Sequence, residues 1–478
     1  MYCFRSHALS TAREGLILLA FLVRRSAHSF LVVSGSFALI YSLAATIGDP
    51  LAEIRLSNPP NLEYLLLAAS RELRLDQSIP ERFLAWYWDV LRSLFSGKFS
   101  LGEGLNGRPV TEGLLTAVSP TFFLVTFSIL LTLLIGSSLG VLAAVSHRSA
   151  KEAFLNLLAF LGYVAPVFWI GHLFKQFAVI RLNDVVASTL TWSTVFAYFI
   201  GSIIFIFFGI LLYLNLYSLS QSSLRKKLLF GLLVALGLMA PAQLLLNEIS
   251  SFWQLAIFAF ATAGVFSICW ALIARGFPKR FNFGFQMGGY WVVSLYLQKL
   301  ILLFPEYTRR DEISGRPFPS FAIESVWYSE PGYWILQLDR IMHVLLPAFA
   351  ISLTTVAIYY QVTKSAALDA LESDYVKMAR AKGLNELEVL VRHVFRSCYL
   401  SLSNTFVPNY LYLFNGIVII ELVFGWQGIG IYLMDSIFNY DLNRLMGGVF
   451  VLGVFTFFMM LASDLISNRL DPRIAEFR

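Results

Sequence analysis

The chain has 478 residues, of which 57% are hydrophobic and only 14% charged, and it carries a net charge of +6. A soluble domain carries about a quarter charged residues, so this composition excludes an ordinary water-soluble globule and points to a lipid solvent. In that setting the basic excess marks cytoplasmic loops rather than a nucleic-acid partner. Cys3, Cys269 and Cys398 stand far apart, and the six histidines are scattered. This spacing predicts neither a disulfide framework nor a metal site, and no cofactor is expected.

A bilayer core about 30 Å thick needs about 20 mostly apolar residues per crossing, and each crossing must close its own hydrogen bonds as a helix. In chain order such runs fall at 29–47, 118–145, 153–180, 191–214, 228–246, 252–274, 284–304, 341–363, 402–424 and 445–467, ten in all. The run at 284–304 is the weakest, because it contains Gln286 and Lys299. The first run follows Arg24 and Arg25 but is longer than the usual signal core of roughly 7–15 residues, so it is expected to be an uncleaved span. With the N-terminus in the cytoplasm, Arg148, Lys151, Arg225, Lys226, Lys227, Lys279, Arg280 and the basic segment 364–401 all lie inside. The short outer loops then hold only Arg181 and Arg444. This bias predicts both termini in the cytoplasm.

The segment 364–401 is long and polar, with apolar residues at helical spacing. Ser365 to Lys382 contains no Gly or Pro, which predicts one helix over that stretch. Gly383 fits its C-terminus, and Asn385 with Glu388 three residues on fits a capping box that starts a second helix. The physical pattern admits a helix-turn-helix on the cytoplasmic face or an amphipathic loop.

Asp374-Tyr375-Val376-Lys377-Met378-Ala379-Arg380-Ala381-Lys382-Gly383-Leu384, followed by Arg392-His393, resembles the D-Y-V-x-x-A-R-A-K-G-L…R-H loop of ABC-transporter permeases of the dipeptide, oligopeptide and nickel group. The likeness extends to Gly48-Asp49-Pro50, Gly107-Arg108-Pro109-Val110, Pro166-Val167-Phe168-Trp169-Ile170-Gly171, His343-Val344-Leu345-Leu346-Pro347, Glu421 through Gly430, and Asp471-Pro472-Arg473-Ile474. It covers roughly 1–180 and 340–478. Gln427, Ser401 and Asn443 stand where the family usually has proline.

The resemblance implies an all-α integral membrane protein with the six-helix frame of a type-1 ABC permease. The block 185–335 would be an insert of about four extra spans. The domain division it implies is an N-terminal region at 1–112, a permease domain at 113–467 interrupted by that insert, and a tail at 468–478. Its implied activity is import of short peptides, or of nickel and related solutes, across a bacterial inner membrane by alternating access. Its implied partners, besides the lipid bilayer, are a second homologous permease subunit, two ABC ATPase subunits and an extracytoplasmic substrate-binding protein. The ATPases would engage Tyr375, Met378, Ala379, Arg380, Ala381, Lys382, Gly383, Leu384, Arg392 and His393.

The only Gly-Lys pair, Gly97-Lys98, is followed by Phe99, so the chain has no phosphate-binding G-x-x-x-x-G-K-[ST] loop and is not expected to be an enzyme. A carboxylate within a span must face protein or water. Glu421 therefore serves either a path or gate or a structural hydrogen bond. Asn415 and His172 are further path candidates, and Asp464 is expected to pair with backbone or a neighbouring helix. Trp86-Tyr87-Trp88 fits either a binding-protein contact or a membrane interface. An ion-coupled secondary transporter or a scaffold that does not transport are the alternative readings.

Overall fold

The computed structural model describes residues 2–57, 60–97, 99–105, 107–185, 203, 235, 237–274 and 279–470. The expected runs at 191–214 (residue 203 apart) and the first part of 228–246 lie outside the described residues, as does the Asp471-Pro472-Arg473-Ile474 tail. In chain order the α-helices are α1 (Tyr2–Ile47), α2 (Ala52–Ser57), α3 (Leu62–Glu72), α4 (Ile79–Phe95), α5 (Val110–Val145), α6 (Ala150–Val164), α7 (Val167–Phe174), α8 (Met239–Asn247), α9 (Phe252–Ala274), α10 (Lys279–Thr308), α11 (Tyr333–Glu372), α12 (Asp374–Ala381), α13 (Glu386–Val389), α14 (Phe395–Phe424), α15 (Ile429–Phe438) and α16 (Leu442–Leu470). No strand occurs among the described residues, so the expected all-α class holds.

Six helices in the described residues are long and apolar enough to cross a membrane: Val23–Ile47, Val110–Val145, Phe252–Cys269, Phe285–Thr308, Tyr333–Glu372 and Leu442–Leu465. The doubtful run at 284–304 is among them. Two bent pairs raise the number to eight if each is one span. One of them covers the expected run at 153–180, where Ala150–Val164 and Val167–Val185 meet at 102°. Pro166 lacks an N–H and pushes the residue before it out of the helical region. Ala165 and Pro166 accordingly sit extended, at φ −66°, ψ 127° and φ −60°, ψ 133°.

The chain divides into two compact units, Met1–Ile129 with Leu402–Arg478, and Leu130–Ser401. In the first, α1, α4, the start of α5, α15 and α16 share a core built on Phe37, Tyr41, Trp86, Leu101, Tyr432 and Phe450. The Phe37 and Phe450 rings lie 5.6 Å apart. Asp464 of α16 pairs with Arg25 of α1 at 2.8 Å, so neither charge stands alone on its helix. Outside the spans, the Ser78 hydroxyl and N–H at the head of α4 hold the Glu81 carboxyl below its usual range.

In the second unit the C-terminal half of α5 packs on α11 through Gly136 and Gly140. A Cβ at Gly136 would lie 2.7 Å from Tyr359 Cβ, and one at Gly140 would lie 2.7 Å from the Tyr360 carbonyl oxygen. Small residues four apart allow this backbone approach in lipid, where helices associate by close packing. Thr132 and Thr355 share a hydrogen bond of 2.8 Å at the same seam.

Helices α8 and α10, which fall within 185–335, belong to the second unit. They share one core with the first turns of α11, including Leu246, Trp291, Leu295, Tyr307, Trp334 and Leu338. The Trp334 indole N–H donates to the Leu246 carbonyl at 2.7 Å. Buried Asp339 closes this junction, accepting from the Tyr307 hydroxyl (2.9 Å), the Ser325 N–H (2.8 Å) and the Ser325 hydroxyl (2.7 Å). Losing a buried acceptor orphans its donors at about 1–3 kcal/mol each. Asp339→Ala is therefore expected to release the 309–332 connection, read as faster limited proteolysis there with the remaining helices protected. Unchanged cleavage would show that the clasp holds nothing.

Candidate functional site

Helix α11 runs 40 residues, about 60 Å at 1.5 Å per residue, and ends at Glu372. Here the structure corrects the expected single helix over 365–382. Residues 365–372 are the last turns of α11, and Ser373 is extended (φ −68°, ψ 151°) before α12 begins. Ser followed by Asp is a helix-start pair, since a short side chain competes with the helix backbone and an acid in the first turn complements the dipole. That local preference outweighs the absence of Gly and Pro.

The rest of the turn follows the sequence pattern. Gly383 has φ +80°, the left-handed conformation that closes a helix. Its N–H donates to the Arg380 carbonyl at 2.9 Å, and the Leu384 N–H donates to the Ala379 carbonyl at 3.3 Å. Asn385 then caps α13: the Glu388 N–H donates to its Oδ1 at 2.8 Å, and the Asn385 N–H donates to the Glu388 carboxylate at 3.4 Å. A wide π turn, Leu390–Val394, joins α13 to α14.

This hairpin has a buried base and an open top. Val376 (0% exposed) and Ala379 (4%) sink into a cluster with Ala144, Ala367, Val389 and Cys398, and Leu384 packs against it. Tyr375 (45%) and Met378 (56%) stand out from it, with Ala381, Lys382 and Gly383 also exposed. Arg380 is clamped to Glu386 by two hydrogen bonds of 2.9 and 3.2 Å. The Tyr375 and His393 rings lie 6.2 Å apart. Arg392 sits in the π turn, with its side chain outside the described residues. The expected set thus falls into outward residues (Tyr375, Met378, Arg380, Ala381, Lys382), anchoring residues (Ala379, Leu384), one turn residue (Gly383) and two residues of the π turn (Arg392, His393).

The base is braced from within its own unit. Lys364 of α11 pairs with Glu152 of α6 at 2.5 Å and donates to Asn156 at 3.1 Å, and the Tyr360 hydroxyl donates to the same Asn156 oxygen at 2.7 Å. Neither this brace nor the Gly136-x-x-x-Gly140 seam was anticipated. The glycine spacing was a readable signal for the seam, whereas the brace joins residues more than 200 positions apart.

In the other unit Glu421 is wholly buried. It accepts from the Thr121 hydroxyl at 2.6 Å, from the Ile431 N–H at 3.0 Å and from the Gly430 N–H. Thr121 Oγ1 in turn accepts the Ile429 N–H at 2.8 Å. The first three N–H groups of α15, which have no partner inside the helix, are all satisfied by these two side chains. Gly428 and Gly430 leave the room: a Cβ at either would lie 2.1 or 2.7 Å from the Glu421 carboxylate. Gly425 at φ +59° turns the chain here, so the bend forms although Gln427 replaces the family proline. Asn415 marks a 52° bend between Phe395–Phe414 and Gly416–Phe424, its side chain outside the described residues. His172 lies exposed on α7.

The family model described as "Binding-protein-dependent transport system inner membrane component" matches residues 225–476. The dipeptide transport system permease protein DppB of Escherichia coli (strain K12) is 28% identical over 203 residues, covering 40% of this chain and 58% of that protein. The di/tripeptide permease DppB of Pseudomonas aeruginosa (strain UCBPP-PA14) is 28% identical over 243 residues, covering 47% of this chain and 70% of its own length. The oligopeptide permease AppB of Bacillus subtilis (strain 168) is 34% identical over 139 residues, covering 28% and 43%. The chain thus spans somewhat over half the length of the Escherichia coli relative that it matches. With its multiple membrane-length helices and a family match over more than half its length, the chain belongs to the inner-membrane components of binding-protein-dependent transport systems.

Proposed function

We propose that this chain is the permease subunit of an importer for short peptides, working by alternating access and driven by separate ATPase subunits. Permeases of dipeptides, di/tripeptides and oligopeptides are among its relatives. The observation that carries the reading is the hairpin after α11. A rigid base of Val376 and Ala379 presents Tyr375 and Met378 outward, and exposed aromatic and methionine side chains beside basic residues suit a protein contact. One ATPase would seat on this surface, and α11 would carry the resulting movement along its length.

In this reading residues 113–467 form the permease domain, 185–335 are an insert, and ten spans place both termini in the cytoplasm. A homologous permease completes the path, and a binding protein delivers substrate from outside. Glu421 serves the path only indirectly, by fixing α15. Co-purification of the tagged chain in mild detergent, from cells that hold the whole transporter, tests the assignment. A stoichiometric pair of ATPase subunits with a second permease is expected. Recovery of the chain without any ATPase subunit would overturn it.

A further inference from the structure

The region between the first two spans forms one wall of a cavity of about 480 Å³ within the first unit, closed on another side by Tyr440 and Asn443. That volume lies within the range of small-molecule sites. Two acids and two arginines line it, but they do not all pair off with one another. Arg74 pairs with Asp89 at 3.1 Å, and Asp49 pairs with Arg55 at 2.6 Å. Arg82 has no carboxylate within 4 Å among the described residues and hydrogen-bonds only the Tyr41 phenol. Its Nε is buried without a partner, and so is the indole N–H of Trp86, a residue only 8% exposed. Both residues line the cavity, as do apolar Leu73, Leu75 and Leu101.

An unpaired, partly buried guanidinium is costly unless a counter-charge reaches it. A second orphaned donor at the same wall demands an acceptor as well. With both lining acids already met by an arginine, Arg82 is the one lining charge left without an opposite partner among the described residues, and a lining of mixed polar and apolar character suits a small monoanion with an apolar body better than a polyanion. We propose that it binds the carboxylate of a small amphiphilic acid, with Arg82 as the charge partner. A carboxylate matches the flat guanidinium fork in a way that a neutral amide does not. The inference does not depend on the transport reading, because binding is measured on the isolated chain.

The test is calorimetric titration of the full chain in lipid nanodiscs with N-acetyl-leucine and, separately, with N-acetyl-leucinamide. Saturable binding of the acid, at least about ten-fold tighter than the amide, is expected. Arg82→Gln should reduce the acid to the level of the amide. Ala45→Phe, which fills the cavity from α1 and leaves the charges in place, should give the same loss, so the inference remains testable if Arg82→Gln does not fold. Equal binding of acid and amide would overturn it, as would no binding of the acid. So would inorganic phosphate that displaces the acid at concentrations below those at which the acid itself binds.

Discussion

Gly383→Val is expected to leave membrane insertion and expression intact while lowering recovery of ATPase subunits and substrate uptake about 5- to 150-fold. The range follows from backbone strain alone. Gly383 has φ +80°, and a Cβ there would meet nothing within 4 Å. No clash arises, so the cost is that of holding a β-branched residue in the left-handed region, about 1–3 kcal/mol. The hairpin would relieve that strain by unwinding the turn between α12 and α13. Tyr375 and Met378 would then lose the geometry in which Val376 and Ala379 hold them. A difference of about 1–3 kcal/mol in the docking-competent population is that same fold-change in apparent affinity. Asn tolerates this conformation better than Ala, and Ala better than Val. The series Gly383→Asn, Gly383→Ala, Gly383→Val should therefore lose ATPase recovery in that order, at equal amounts of chain in the membrane. Normal uptake by the valine variant would sink the coupling assignment. A loss equal across all three would point to side-chain exclusion at the contact instead of strain.

That hairpin also shows how far the sequence could be read. Gly383 and the Asn385–Glu388 cap were legible because each depends on neighbours within four residues. The break at Ser373 is equally local, but the Ser373-Asp374 start pair lies within a stretch free of Gly and Pro that reads as one continuous helix. Pro166 was also in plain view. Hydropathy measures length in lipid and is blind to direction, so a 102° turn inside an apolar run leaves no trace in it. Burial contacts between distant segments are a different matter. That Lys364 meets Glu152, that Asp339 collects Tyr307 and Ser325, and that Arg82 meets no carboxylate among the described residues all depend on which helices become neighbours. No periodicity in the chain encodes that. For Glu421 the sequence left two roles open, and its surroundings now offer a way to separate them.

Glu421→Ala should lower the thermal stability of the detergent-solubilised chain more than any other single truncation in the α14–α15 turn. It removes the acceptor for the Thr121 hydroxyl and for the Gly430 and Ile431 N–H groups, in a site closed to water. Each orphaned donor costs about 1–3 kcal/mol, against a typical total stability of about 5–15 kcal/mol. Thr121→Val should reproduce part of the loss, because Thr121 both donates to Glu421 and accepts from Ile429. Glu421→Gln keeps one carbonyl acceptor but sets an amide NH2 against donors, and should fall between wild type and alanine. Gly430→Ala reaches the same end from the other side, since its Cβ would lie 2.7 Å from the carboxylate and 2.8 Å from Val418 Cα. Melting monitored by fluorescence-detected size exclusion ranks the four. A carboxylate that caps α15 makes stability and uptake fall together across this series, because the helix it fixes is the object of both. A carboxylate that lines the path would behave otherwise: Glu421→Gln would keep its melting temperature and lose uptake. That second pattern would return Glu421 to the translocation path and leave the capping geometry as its resting position only.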